Sequence, residues 1–195
     1  MNVREEAFKT RQRNVLDMAI TFTAMVRVFK EGAKSTILAE LSKFCGALPT
    51  ISSSTVFEEM HHGFCTWFVN NIVTAEKKIN GETRIQSSAA SYGHAAKVLD
   101  IVLKVYVFYC HFPTNEDSEK LIPLLHAAID TPILKFLSNK FPNADIKAST
   151  IKEIDEQQYS LLQRLLGEDI YQSYQSSILP VEYDDLMWSE LNRNA

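Results

Sequence analysis

Three charged side chains stand inside an apolar block. Between Ala95 and Cys110, thirteen of sixteen residues are apolar, and the exceptions are Lys97, Asp100 and Lys104. On a helix these three fall within about 60° of one another, a narrow polar stripe on an otherwise apolar rod. Such a helix is buried, and burying ionised groups is costly unless they pair. Asp100 and Lys104 are four residues apart and can pair on the helix itself. A buried lysine of lowered pKa is, in chemical terms, a nucleophile or a seat for a ligand's negative charge. Further on, Ile129-Asp130-Thr131-Pro132 places a carboxylate at a helix start, with Thr131 as N-cap and Pro132 at the first helical position. A carboxylate there stabilises the helix by roughly 0.3–1 kcal/mol without any catalytic duty.

His61, His62, Cys65, Cys110 and His111 carry the atoms that zinc prefers. His61 and Cys65 share a helix face, but the spacings match no zinc finger, and Cys110 and His111 point about 100° apart on a helix. Three cysteines cannot hold a four-cysteine iron–sulfur cluster. No metal and no cofactor is expected. The phosphate-binding GxxxxGK[ST] and GxGxxG patterns, GxSxG and HExxH are all missing, which removes the common nucleotide, hydrolase and protease readings.

The elements that position these residues read as helices throughout. Gly and Pro are scarce, six each, and they stand between apolar blocks. The pattern predicts a long amphipathic helix over 4–30 (Phe8, Val15, Met18, Ala19, Phe22, Met25, Val26, Phe29), then one from Ser35 to Gly46. A third begins at Ser54 and reaches about Ile79, where Asn80-Gly81 turns the chain. Residues 82–93 form a short helix or turn that leads into the buried central helix, about 94–110. Shorter helices follow around Leu121–His126 and Thr131–Lys140. Thr150 and Glu153 make a capping box for a helix ending at Gly167, with further pieces at 168–177 and 181–192. The fold class is all-α, one multi-helix domain: N-terminal helices over 1–46, a central core over 54–141, and acidic C-terminal helices over 149–192.

Tyr92-Gly93-His94-Ala95-Ala96-Lys97, followed by Val98-Leu99, resembles the hairpin turn and second helix of the helix-hairpin-helix DNA glycosylases, the superfamily of the oxoguanine glycosylases. Ile129-Asp130-Thr131 is similar to that family's Val/Ile-Asp-Thr segment. The resemblance spans about residues 87–137. It implies a helical core, phosphate binding by backbone N–H groups around Tyr92, Gly93 and His94, and Asp130 with Lys97 as the catalytic candidates. The chain departs from the family in having one turn glycine where two are usual. With Gly93 aligned to the second of them, Ala95 takes the lysine position, and the loop to Asp130 is longer. The implied core is therefore degenerate, without robust base excision.

Net charge is −4, unevenly spread. Residues 1–43 carry eight Lys/Arg against five Asp/Glu, and residues 145–195 carry four against ten. Only the N-terminal half, with Arg11 and Arg13 beside Arg4 and Lys9, offers phosphate a basic surface. The opposite charges also allow the two ends to attract each other within the fold. Tyr159, Tyr171, Tyr174, Tyr183 and Trp188 lie in the acidic part, a composition that suits a protein-binding face or simply a core. No apolar run is long enough and free enough of charge for a membrane span, and a charged start with three unpaired cysteines suggests the cytoplasm. Three functional readings stand: a DNA-binding protein of repair or defence, a non-catalytic interaction module, and a small-molecule enzyme on the Lys97/Asp100/Lys104 stripe.

Overall fold

The computed structural model describes residues 2–79 and 82–193. Among them, eight α-helices surround one core: α1 (Val3–Phe22), α2 (Ala33–Ala47), α3 (Ser54–Asn71), α4 (Tyr92–Leu103), α5 (Asn115–Leu121), α6 (Thr131–Lys140), α7 (Glu156–Tyr174) and α8 (Pro180–Arg193). The all-α reading holds, with one small exception. A two-stranded antiparallel hairpin, β1 (Lys77–Ile79) with β2 (Glu82–Ile85), interrupts the path from α3 to α4. The third helix was expected to reach Ile79, but it stops at Asn71, after which Val73 and Thr74 bridge to Ala89 and Phe29. Bridging satisfies backbone groups that a longer helix would have satisfied internally. The Asn80-Gly81 turn lies outside the described residues.

Helix α4 is the axis of the molecule and packs against α1, α3 and α7. Its residues Ala95, Ala96, Val98, Leu99, Val102 and Leu103 are buried, as an almost uniformly apolar surface requires. From Lys104 to Tyr109 the helix widens into a π segment, with the Cys110 N–H reaching back to the Val105 carbonyl.

Elsewhere the physics of caps moves boundaries. The expected helix over 4–30 ends at Phe22, because the Thr23 hydroxyl donates to the Ile20 carbonyl and accepts the Met25 N–H, while Ala24 turns left-handed at φ 55°. Its buried stripe is Val15, Leu16, Ala19 and Ile20, so Met18 and Phe22 face outward. The Thr150/Glu153 box is real, but it caps only a single 3₁₀ turn. Asp155 then caps α7, which continues straight through Gly167. No helix among the described residues is long and apolar enough to cross a membrane.

Candidate functional site

Two sites meet where α4 passes the loop before α6. The first is a buried polar relay centred on Asp100. His61, on α3, gives its Nε2–H to Asp100 Oδ1 at 2.9 Å, and the Tyr159 hydroxyl of α7 donates to Asp100 Oδ2 at 2.8 Å. Tyr159 Oη also lies 2.9 Å from His126 Nδ1 and 3.3 Å from His61 Nε2. The outer nitrogen of His126 meets Glu58 Oε1 at 2.8 Å, and Cys65 Sγ sits 3.8 Å behind His61 Nδ1.

Donor bookkeeping fixes the state of the relay. The single hydroxyl proton of Tyr159 goes to Asp100, so His126 donates through both ring nitrogens and is cationic. Burial works against that charge, but the Glu58 hydrogen bond and the charges of Asp100 and Glu58 outweigh it and hold the His126 pKa above the ordinary histidine value. The His126 contact in turn lowers Glu58. Burial, followed by the Asp100 charge, pushes both the Tyr159 hydroxyl and the Cys65 thiol well up, so both stay protonated.

The second site is the pair Lys97 and Asp130. Lys97 leaves α4 one turn before Asp100, and Asp130 follows His126 by four residues, so the relay that pins His126 against α4 also sets the loop carrying Asp130. Burial lowers the Lys97 pKa below the ordinary lysine value, and the Asp130 charge partly opposes that shift. Asp130, rather than Thr131, is the N-cap of α6: its Oδ1 accepts the Ile133 N–H at 2.9 Å, with Pro132 one position further in. The charge of one sequence-derived catalytic candidate thus acts on the other across the gap between α4 and the start of α6. No protein-family model, curated protein or solved structure matches the chain.

The other expected residues are placed as follows. Gly93 is buried, its N–H donates to the Ile154 carbonyl, and an added Cβ would run into the Ile151 carbonyl oxygen and come within 2.7 Å of Ile154 Cβ. Tyr92 is half-buried against Tyr159. His94 is buried and closes a capping box with Ser91, whose N–H it accepts at Nδ1. The Gly93 and His94 N–H groups are therefore occupied inside the fold, by the Ile154 carbonyl and the Ser91 hydroxyl. Burial, then the charges of Lys152 and Lys97, depress His94 to about 4. On α1, the Arg11 guanidinium lies over the Phe112 ring at 4.9 Å, while Arg13 is exposed.

The polar stripe is divided among partners. Lys104 does not pair with Asp100 as the four-residue spacing suggested. It reaches Asp184 at 2.6 Å and Asp185 at 2.7 Å on α8, and the Tyr109 hydroxyl donates to Asp185. The zinc-type residues scatter: His62 meets Glu156, His111 meets Ser118, and Cys110 is exposed. The C-terminal tyrosines do not form one outer face. Tyr159 and Tyr183 are buried, Tyr174 is half-buried and Tyr171 is exposed. Sequence reasoning missed His126 and Glu58 and read Tyr159 only as part of a protein-binding face or core, for no local spacing links any of the three to His61 or Asp100.

Proposed function

We propose that this chain binds DNA and engages the aldehyde of a base-free deoxyribose through the Lys97 amine, without excising bases. The observation that carries this reading is the half-buried Lys97, its pKa lowered by burial, with the Asp130 carboxylate near enough for its charge to act on the amine. A neutral amine attacks the sugar's aldehyde carbon to give a carbinolamine, whose hydroxyl takes a proton from solvent and leaves as water, and the cationic iminium that remains is stabilised by the charge of a nearby carboxylate. Asp130 already accepts the Ile133 N–H, which ties up part of the charge that expulsion of a base would demand. Lys152, exposed and close enough to act on His94 together with Lys97, extends the positive surface. With so few cations on an acidic chain, binding is weak, salt-sensitive and indifferent to sequence.

Borohydride trapping tests this on duplexes with and without an abasic site. The wild type gives a reduced covalent adduct only with the abasic duplex, and Lys97→Met abolishes it at unchanged melting temperature. No adduct from a folded wild type removes the reading. That outcome favours the interaction module, for which Met18 (60% exposed) and Phe22 (71%) on α1 are the supporting observation.

A further inference from the structure

We infer that His61, Asp100, His126 and Tyr159 form a closed binding site for a divalent cation of the zinc class. Ligand atoms of His61, Asp100 and His126 all lie within 4.8 Å of one another, and the Tyr159 oxygen touches all three. Four contacts tie the cluster together: 2.8 Å from Tyr159 Oη to Asp100 Oδ2, 2.9 Å from Tyr159 Oη to His126 Nδ1, 2.9 Å from His61 Nε2 to Asp100 Oδ1, and 3.3 Å from Tyr159 Oη to His61 Nε2. With zinc–nitrogen and zinc–oxygen bonds near 2.0–2.2 Å, the edges of a tetrahedral site measure about 3.4 Å. The four nitrogen and oxygen donor groups are gathered within the span of one small coordination sphere, nearer than ligands would stand at the contacts that a proton now bridges.

Two observations outside the cluster point the same way. The first is the outer partner of His126. Glu58 accepts from Nε2 and so directs the Nδ1 lone pair inward whenever that nitrogen carries no proton, the carboxylate–histidine–metal arrangement that orients ligating imidazoles. The second is the charge of Asp100, 3% exposed, whose partners are His61 and Tyr159, with no lysine or arginine among the described residues. A buried carboxylate whose nearest positive charge is a protonated imidazole, His126, is well matched to a metal cation that takes the place of that proton. The side chains of His126, 13% exposed, and Glu58, 60% exposed, mark the route from solvent. The mixed nitrogen and oxygen donors select a borderline ion such as zinc over calcium or magnesium, which prefer oxygen alone.

Stripped with a chelator, the full chain is titrated with zinc chloride and, separately, cobalt chloride. One equivalent binds, the cobalt form shows the intense visible absorption of a four-coordinate ion, and melting temperature rises with metal concentration. Glu58→Gln, a surface change that leaves the ligands in place, weakens zinc about 10-fold. His126→Gln, at the rim of the core, weakens it further and removes the cobalt spectrum, with circular dichroism confirming that both variants fold. A folded wild type that takes up neither metal overturns the site. So does uptake that is the same in the wild type and both variants, since the ion would then be bound elsewhere.

Discussion

Lys97 and Lys104 stand two turns apart on the same buried rod, yet the fold treats them in opposite ways. Lys104 is enclosed by Asp184 and Asp185, with Tyr109 bridging to the second carboxylate. Even so, burial outweighs the lysine's attraction and lifts Asp184 to about 6. Lys97 has one carboxylate acting on it, and that carboxylate is committed to capping α6. A charge with a full set of partners holds α8 to the core, whereas one left short of partners is available to something outside the chain. Sequence alone gives the two lysines the same surroundings; the difference comes from helices 80 residues apart in the chain.

The largest effect expected from breaking this contrast falls on the enclosed lysine. Lys104→Ala strands Asp184, only 17% exposed, without its cation and costs about 3 kcal/mol in urea unfolding, the usual consequence of removing one partner of a buried ion pair, while the exposed Asp185 is left to solvent. Lys97→Ala, by comparison, removes a charge that burial already disfavours and leaves stability within about 1 kcal/mol of wild type. Gly93→Ala comes next. The new methyl meets the Ile151 carbonyl and the Ile154 side chain, so the turn before α7 must shift, at about 1–3 kcal/mol in the same experiment.

Smaller effects sharpen the account at the two helix starts beside Lys97. Asp130→Ala removes the cap of α6 and costs about 1 kcal/mol, whereas Asp130→Asn retains an oxygen for the Ile133 N–H and costs less. The smallest effect is a slope against pH. His94 is held neutral in the fold at about 4, against 6.5 for an ordinary histidine. The unfolded chain therefore binds more protons between these values. The His94 contribution is complete above pH 6.5 and is lost as pH falls towards 4. Unfolding measured across that window shows stability declining with acid, and His94→Gln flattens the decline.

How far these features were legible depends on how local their causes are. The burial of α4 follows from composition alone, since an apolar surface all round cannot face water, and the start of α6 follows from Asp130-Thr131-Pro132 to within one residue. The partners of the stripe were not legible. Spacing favoured a pair between Asp100 and Lys104, but long-range packing brought His61 and Tyr159 to one and α8 to the other. His126 looked like an ordinary residue near the end of a short helix, because its partners lie 33 and 68 positions away. The same limit explains Met18 and Phe22. Helical periodicity assigned them to the core, yet the stripe of α1 that other helices cover runs through Val15, Leu16, Ala19 and Ile20.

On the proposed reading Lys97, and not its enclosed counterpart Lys104, is the reactive amine of this chain. Peptide mapping of the borohydride-reduced adduct on abasic duplex tests it most directly. A single modified peptide is expected, carrying the reduced sugar on Lys97. A label spread over exposed lysines such as Lys135 and Lys152, or one that persists in folded Lys97→Met, contradicts it.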